Sequence, residues 1–309
     1  MKYTFLLPAY KSAFLYQALH SITTQTFCDF NVIVSDDCSP EPIKDVVDSF
    51  ANDSRVQYRR NESNFGALRL VDHWNLLLSL CDSEYVIVAS DDDVYEPRFL
   101  EEVDELTAKY PSVDLFHARA NTIDSEGNVL HSDSVSNELY DIETFISHYL
   151  CADSVLCIGN YVFKTEVLRH IGGFVNFPYA WKSDTATQMQ MAIRGVVNTS
   201  EVLFSFRMSG QNISSQKSCD RKTDAKKLDS ILRFERWLSS FLETNAVKDA
   251  CEILNSFRKR LEGEARSYYW CLGFAQFKDL YSHLSKNHWF MSVRNKVSFI
   301  LHWFRVANG

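Results

Sequence analysis

A short apolar run that stops at consecutive carboxylates is the feature that most constrains the fold of this chain. Residues 85–89 are apolar and mostly β-branched, and after Ser90 they are followed by Asp91, Asp92 and Asp93. A run of this length without polar alternation predicts a strand buried on both faces of a parallel sheet. Three adjacent anions repel one another, so the cluster predicts a bound cation, and carboxylate oxygens suit Mg²⁺ or Mn²⁺.

The same carboxylates have a second interpretation. A run of aspartates after a strand is often a solvated loop, in which Asp92 or Asp93 caps the helix that Pro97 opens. This stretch alone leaves both interpretations open.

Predicted strands and helices alternate along the first half of the chain. The predicted strands are 3–7, 30–35, 56–59, 85–89, 113–117 and 157–164, with a hairpin over 120–130. The predicted helices are 13–22, 43–50, 67–81, 97–110 and 141–150. This alternation is typical of an α/β fold with a doubly wound, mostly parallel sheet and right-handed crossovers.

Two acidic loops and one tyrosine follow strands of this predicted sheet. Asp36 follows the second strand, the three aspartates follow the fourth, and Tyr10 follows the first. Because ligands of open α/β sheets bind at the carboxyl ends of strands, we expect these side chains to line one pocket. An aromatic ring, hydrogen-bond acceptors and metal ligands are the parts needed to hold a nucleoside diphosphate.

Asp184 stands at the start of a further predicted helix, after a loop that contains Phe177, Tyr179 and Trp181. As a cap residue, its carboxylate is stabilised by the partial positive charge of the helix end. As a functional group, a carboxylate beside an aromatic wall can accept a proton from a sugar hydroxyl. The residues alone leave both interpretations open.

The composition excludes several classes of protein. With 309 residues and 46% hydrophobic content, the chain can bury one large core or two smaller ones. Its eight cysteines include no Cys-x-x-Cys pair, which is typical of reduced thiols in a cytosolic protein without structural zinc. The apolar start is interrupted by Pro8 and Lys11, so it predicts a strand and not a signal peptide. No apolar run reaches the length of a membrane span, and we expect a cytoplasmic protein.

Charge divides the chain near residue 216. Residues 1–216 hold 15 Lys and Arg against 30 Asp and Glu, which argues against a nucleic-acid partner, whereas residues 217–309 hold 17 against 10. Gly and Pro are scarce in the second part, which predicts helices over 220–242, 247–263, 264–284 and 289–306. Residues 286–305 mix aromatic and basic side chains, which indicates either a peripheral membrane helix or the core or homodimer seam of this helical region.

Several short motifs of residues 1–216 occur together in one order. They are Leu7-Pro8-Ala9-Tyr10, Val34-Ser35-Asp36-Asp37-Cys38-Ser39, Asn64-Phe65-Gly66, His73-Trp74-Asn75 with Glu84-Tyr85, Ser90-Asp91-Asp92-Asp93 ending in Pro97, Gly172-Gly173-Phe174, Asp184, and Phe206-Arg207-Met208-Ser209-Gly210-Gln211-Asn212-Ile213-Ser214. In this order and rough spacing they resemble the metal-dependent glycosyltransferases of the GT-A fold, specifically the inverting family 2. The resemblance implies a GT-A-like catalytic domain over 1–216, with a nucleotide-binding half over 1–117 and an acceptor half over 118–216. A helical appendage over 217–309 would follow it.

The resemblance also implies a role for each matching residue. Asp184 would be the general base that takes the proton of the acceptor, and Asp92 with Asp93 would bind the divalent cation, Mn²⁺ or Mg²⁺, as cofactor. The residues implied to bind the nucleotide are Pro8, Ala9, Tyr10, Asp36, Arg69, Asp91 and Arg207. The family often has Asp where Ser90 stands and His where Ser209 stands, so phosphate contacts would pass to Arg207 here.

The implied activity is the transfer of a sugar from a nucleotide-sugar, a UDP-sugar, to a hydroxyl acceptor during the synthesis of surface polysaccharide or another glycan. Relatives of this type often act on lipid-linked glycans at the cytoplasmic face of the membrane, so peripheral membrane contact fits the resemblance. One alternative is a non-catalytic nucleotide-sugar-binding or scaffold protein of the same fold. A nucleotidyltransferase is disfavoured because no Gly-rich, Lys-containing phosphate loop occurs near the N-terminus.

Overall fold

The computed structural model describes residues 1–151, 155, 157–210 and 221–266, together with 301 and 304. The chain forms two compact units. The first, which we call the sheet unit, comprises Met1–Asn176 and Ser183–Gln216. The second, the helical unit, comprises Phe177–Lys182 and Lys217–Gly309.

Within the described residues, the sheet unit contains ten strands that belong to one sheet. They are Tyr3–Ala9 (β1), Phe30–Asp36 (β2), Val56–Arg60 (β3), Tyr85–Val88 (β4), Val94–Tyr95 (β5), Leu115–Ile123 (β6), Val129–Ser132 (β7), Leu139–Tyr140 (β8), Tyr161–Lys164 (β9) and Val196–Arg207 (β10). Its α-helices are Leu15–Thr23 (α1), Ile43–Asp48 (α2), Leu70–Ser79 (α3), Phe99–Lys109 (α4), Ile142–Cys151 (α5), Thr165–His170 (α6) and Ser183–Met191 (α7). Short 3₁₀ turns occur at Ala67–Arg69 and Ala192–Arg194 in this unit, and at Pro178–Ala180 in the helical unit.

The order of the strands along the sheet is β3-β2-β1-β4-β9-β6-β10-β5, with β7 beside β6 and β8 beside β10. The pairs β1–β2, β1–β4, β2–β3 and β6–β10 are parallel, whereas β9 runs antiparallel to β4 and β6. The prediction of a mostly parallel, helix-covered α/β sheet is therefore confirmed. The antiparallel members β5, β7, β8 and β9 are the part that simple βα alternation does not predict.

The strands of the first half end at one edge of the sheet, because β1 lies between β2 and β4 and runs parallel to both. The β1–β2 pairing continues to Ala9 opposite Asp36, whereas the β1–β4 pairing ends at Leu6 opposite Val88. Pro8 lies just beyond that last pair, and proline has no N–H to donate to a neighbouring strand. Strands β1 and β4 separate here, and the loops that follow them lie at the same edge as the loop after β2.

Aromatic side chains form much of the core behind this edge. The ring of Phe5 on β1 lies 5.1 Å from Tyr95 and 6.2 Å from Phe99, and Tyr95 lies 5.1 Å from Phe204 on β10. All four side chains are buried. The Phe5–Tyr95 and Tyr95–Phe204 pairs are edge-to-face, and such pairs add about 0.5–1.5 kcal/mol each to the burial of their apolar area.

The helical unit is described over Arg221–Thr244 (α8) and Ala250–Arg266 (α9), which pack against each other. Phe234 on α8 lies 5.8 Å from Phe257 on α9, and the Arg258 guanidinium lies 2.8 Å from the buried carboxylate of Glu235. The predicted helices over 264–284 and 289–306 and the basic aromatic segment 286–305 fall almost entirely outside the described residues. No helix in the described ranges combines the length and apolar character needed to cross a membrane.

The segment Phe177–Lys182 belongs to the helical unit through specific contacts. Glu264 on α9 accepts a 2.8 Å hydrogen bond from the Trp181 indole and lies 2.9 Å from the Lys182 ammonium. Ser230 on α8 donates a 2.8 Å hydrogen bond to the carbonyl of Pro178. These contacts hold a backbone with positive φ at Tyr179, Ala180 and Lys182, a conformation that costs free energy for residues with side chains.

Candidate active site

Asp91 joins the loop after β4 to the loop after β1. Its Oδ2 accepts hydrogen bonds from the backbone amides of Tyr10, at 2.9 Å, and Lys11, at 2.8 Å. Burial raises the pKa of Asp91 to about 6, and the charge of Asp92 adds to this effect, whereas the two amides oppose it. The Tyr10 ring is 42% exposed, so it stands at the surface beside this carboxylate. Two predicted nucleotide-binding residues therefore lie together.

Each carboxylate oxygen of Asp92 accepts a hydrogen bond from a serine hydroxyl. Ser90 donates to Oδ1 at 2.7 Å and Ser209, which follows β10, donates to Oδ2 at 3.3 Å. The residue is only 7% exposed. The predicted metal ligand is thus a buried carboxylate that is hydrogen-bonded at both oxygens.

Asp93 faces the interior instead. Its Oδ1 accepts a 2.9 Å hydrogen bond from the backbone amide of Arg207, and its Oδ2 lies beside Gly159, where an added Cβ would be 3.4 Å away. Burial raises the pKa of Asp93 to about 8, with the charge of Asp92 as the second cause. The assignment of Asp93 as a metal ligand stays a prediction, and the contacts described here tie this carboxyl to β10.

The Arg207 guanidinium contacts protein groups in the described structure. It donates from Nε to the carbonyl of Asp92 at 2.8 Å and from NH2 to Oε1 of Gln17 at 3.0 Å. It also donates to the carbonyls of Asp124 and Ser125, at 3.2 and 3.3 Å, and it lies 4.5 Å from the centre of the Phe14 ring. Arg207 is 3% exposed. Its predicted contact with phosphate stays a prediction. Its contacts with residues 91–93, which we call the acidic turn, are part of the fold.

Asp36 is a fully buried carboxylate at the end of β2. It accepts hydrogen bonds from the Arg60 guanidinium, from the Tyr58 hydroxyl at 2.8 Å and from the backbone amide of Ser39 at 2.8 Å. Ser39 in turn donates to the carbonyl of Tyr10 at 2.5 Å. Asp36 therefore lies next to the predicted nucleotide loop, and its predicted hydrogen bond to the base stays a prediction. Arg60, half exposed beside it, is a candidate that the sequence did not single out.

Asp37 organises a loop that the sequence indicated only through its Asn64-Phe65-Gly66 motif. Its two oxygens accept hydrogen bonds from the amides of Phe65 and Gly66, at 2.9 and 3.0 Å, and Oδ1 also accepts one from Asn61 at 3.0 Å. Gly66 has φ 60° and ψ −177°, which only glycine adopts without strain. The second acidic residue of the Asp36-Asp37 pair thus has a structural partner of its own.

Arg69 is attached to this loop by a stack of side chains. Its guanidinium lies 4.8 Å from the centre of the Phe65 ring, and Phe65 stacks on the buried His73 with 5.0 Å between ring centres. Burial lowers the pKa of His73, whose Nε2 shares a 2.8 Å hydrogen bond with Ser35. The half-exposed Arg69 also pairs with Asp72 at 2.9 Å. The stack holds a predicted nucleotide-binding residue near the same edge.

Asp184 lies in the first turn of α7, which begins one residue earlier at Ser183, so the carboxylate is inside the helix and not at the cap position. Its Oδ1 accepts a 2.8 Å hydrogen bond from the amide of Thr185. Burial raises the pKa of the Cys157 thiol well above its usual range, and the charges of both Asp93 and Asp184 contribute. Asp184 and the acidic turn are therefore both within electrostatic reach of Cys157.

The carboxylates of the acidic turn fit a cation that is coordinated by both the protein and a bound ligand. Within the described ranges, no group of three or more His, Cys, Asp or Glu side chains could hold a metal ion. Mg²⁺ and Mn²⁺ usually bind through one or two carboxylates, with phosphate and water as the other ligands. Because a carboxylate oxygen can accept two partners, the hydroxyl contacts of Asp92 do not exclude coordination. The residues present therefore fit a cation site in which phosphate and water supply the remaining ligands.

The mostly parallel α/β sheet of this chain matches the fold of the GT-A glycosyltransferases. The model of the family described as glycosyl transferase family 2 matches residues 4–172, more than half of the chain. The chain belongs to this family.

One curated relative is similar over part of its length. An uncharacterized glycosyltransferase of Haemophilus influenzae (strain ATCC 51907 / DSM 11121 / KW20 / Rd) is 27% identical over 170 residues, which is 54% of each protein. The alignment therefore spans about half of the length of that relative.

Solved structures are similar over nearly the whole chain. The structure of S. aureus TarS 1-349 in complex with UDP-GlcNAc has a TM-score of 0.62 at 16% identity, covering 100% of this chain and 91% of that one. The mannosyltransferase PcManGT from Pyrobaculum calidifontis, in complex with GDP-Man and Mn²⁺, has a TM-score of 0.52 at 16% identity and covers 96% and 77%. At this level of identity the similarity shows the fold.

Proposed function

We propose that this glycosyltransferase uses a divalent cation and a UDP-sugar to glycosylate a hydroxyl group with inversion at the anomeric carbon. The observation that carries the proposal is the hydrogen bonding of Asp91 to the amides of Tyr10 and Lys11, next to Asp92. This contact supports a site in which the Tyr10 ring serves the base, Asp91 the ribose and Asp92 the cation. TarS and PcManGT, whose solved complexes contain UDP-GlcNAc and GDP-Man with Mn²⁺, support a nucleotide-sugar donor.

In the proposed mechanism, the residues at the sheet edge bind and orient the donor. Tyr10 stacks on the base, Asp36 accepts a hydrogen bond from it, and Asp91 contacts the ribose. Arg69 lies at the base or the phosphates, and Asp92 holds the cation. When bound, the cation supplies positive charge that stabilises the diphosphate as it leaves.

In this proposal, Asp184 activates the acceptor. The Asp184 carboxylate accepts the proton of the acceptor hydroxyl as its oxygen attacks the anomeric carbon, and attack opposite the leaving group inverts the configuration. A hydroxyl is a weak nucleophile near neutral pH, and a positioned base contributes about 10²–10⁴-fold to the rate. We propose a glycan or lipid-linked glycan as acceptor, in the synthesis of surface polysaccharide.

The experiment that tests the proposal measures donor consumption and transfer separately. Purified protein is incubated with a panel of UDP-, GDP- and other nucleotide-sugars and Mn²⁺, and nucleoside diphosphate release is measured with and without glycan acceptors. Asp184→Asn should bind UDP with unchanged affinity and lose transfer by at least about 100-fold. The matched control is Asp141→Asn, because Asp141 also accepts an amide hydrogen bond at a helix start, from Thr144 at 2.8 Å.

Two results would contradict the proposal. Full transfer by Asp184→Asn would remove this residue as the base. Consumption of GDP-sugars with no consumption of any UDP-sugar would show that the proposed donor class is wrong.

A further inference from the structure

The two serine hydroxyls that donate to Asp92 come from distant parts of the sequence. Ser90 precedes Asp92 by two residues, whereas Ser209 is 117 residues further along the sequence. Each hydroxyl contacts a different oxygen of the same carboxylate. The carboxylate is therefore held from both sides.

We propose that Ser90 and Ser209 are positioning residues that set the orientation of Asp92 and, through it, the affinity of the site for a divalent cation. This inference rests on the proposed function, in which Asp92 holds the cation. Neither hydroxyl needs to touch the cation or the substrate.

The physical reason is the freedom of an aspartate side chain. The torsion that turns the carboxylate plane is broad, so packing alone does not select one orientation. An ionised carboxylate is an acceptor only, so each serine contact is an O–H donor to Asp92. One donor on each oxygen restricts rotation in both directions. In metal sites, groups that orient the ligands typically change the affinity by about 10–100-fold.

The position of Ser209 is itself fixed against the turn. Arg207, two residues earlier, donates from its backbone amide to Asp93 at 2.9 Å and from Nε to the carbonyl of Asp92 at 2.8 Å. Arg207, the last residue of β10, and Ser209 therefore contact the acidic turn at three points within three residues. The contacts of Arg207 therefore restrict the position of Ser209 relative to the acidic turn.

The two hydrogen bonds differ in length, so the two serines should contribute differently to cation binding. The Ser90 hydrogen bond, at 2.7 Å, is shorter than that of Ser209, at 3.3 Å. Shorter hydrogen bonds to a charged group are the stronger ones. Ser90→Ala should therefore weaken cation binding more than Ser209→Ala, and the double variant should weaken it most.

The test measures Mn²⁺ binding directly, by the electron paramagnetic resonance signal of free Mn²⁺, with and without UDP. We expect Ser90→Ala and Ser209→Ala to raise the dissociation constant of Mn²⁺ by about 10–100-fold. Ser209→Thr, which keeps the hydroxyl, should restore binding to near the wild-type level. Ser132→Ala is the matched control, because Ser132 donates a 2.7 Å hydrogen bond to Asn121 on another part of the sheet unit.

The outcomes separate this inference from the proposed function. If the wild type binds Mn²⁺, Asp92→Ala does not, and both serine variants bind like the wild type, the positioning role is overturned while the metal site stands. If neither the wild type nor Asp92→Ala binds Mn²⁺ in the presence of UDP, both ideas fail. Unfolding midpoints measured in EDTA should be equal for Ser209→Ala and Ser209→Thr, so a difference in affinity between them reports on the site and not on folding.

Discussion

The Arg207 side chain distinguishes two explanations of how the acidic turn is built. If the residue serves mainly as a phosphate ligand, replacing it should weaken nucleotide binding and leave the fold stable. If it anchors the turn to β10, as its contacts with the carbonyl of Asp92 and with Gln17 indicate, replacing it should lower the free energy of unfolding. We expect the second result for Arg207→Ala.

The magnitude follows from the contacts that the guanidinium makes. Its hydrogen bonds to Asp92 and Gln17 have lengths of 2.8 and 3.0 Å, and bonds from a charged donor contribute about 1.5–3 kcal/mol each. The longer bonds to Asp124 and Ser125 and the contact with the Phe14 ring add less. We therefore expect a loss of about 3–6 kcal/mol, which lowers the melting temperature of a unit of this size by roughly 6–24 °C.

The assay combines urea unfolding, followed by circular dichroism, with calorimetric titration of UDP and Mn²⁺. Arg119→Ala is a matched control, because the Arg119 guanidinium also donates to backbone carbonyls, those of Ser134, Ser200 and Asp133. It should lower stability by a similar amount without a change in UDP affinity. An Arg207→Ala variant that unfolds within about 0.5 kcal/mol of the wild type but no longer binds UDP would refute the anchoring role.

Three further predictions concern stability. Gly173→Ala should cost about 1–3 kcal/mol more than Gly172→Ala in urea unfolding, because both glycines have positive φ but an added Cβ at Gly173 alone would lie 2.4 Å from Oδ1 of Asn75; equal costs would contradict this. Burial lowers the pKa of His117 to about 4, so the folded state binds fewer protons than the unfolded state between pH 6.5 and 4. The free energy of unfolding should therefore decrease by about 3 kcal/mol as the pH is lowered from 6.5 to 4. A His117→Gln variant with the same pH dependence would show that His117 is not the group responsible. Glu264→Ala should speed proteolysis within 177–182, whereas Glu264→Gln, which keeps an acceptor for the indole, should be affected less; equal rates in all three proteins would show that Glu264 does not hold this segment.

The sequence predicted the first half of the sheet well because local signals dominate there. Apolar runs define β1, β2 and β4, and the acidic residues at the ends of β2 and β4 place Asp36 and the acidic turn at one edge. The boundaries were less accurate: the helix expected over 67–81 divides into a 3₁₀ turn at Ala67–Arg69 and a helix at Leu70–Ser79. The turn places Arg69 outside the α-helix, beside Phe65.

The second half depends on contacts between distant residues, which periodicity does not reveal. Strand β10 was recognised only at its end, through the motif that begins at Phe206, although it runs from Val196. Its pairing with β6 and β5 brings Arg207 and Ser209 to the acidic turn. The network of Asn61, His73 and Ser35 was also missed, because buried polar residues become recognisable only when their partners are known.

The most direct test of the central claim is calorimetric titration of UDP into the wild type and Asp92→Asn, each in Mn²⁺ and in EDTA. The account predicts that the wild type binds UDP at least about 100-fold more tightly in Mn²⁺ than in EDTA, and that Asp92→Asn loses this difference without a change in its affinity in EDTA. Equal affinities of the wild type in Mn²⁺ and EDTA, or an unchanged metal effect in Asp92→Asn, would show that the acidic turn does not hold a cation for the diphosphate.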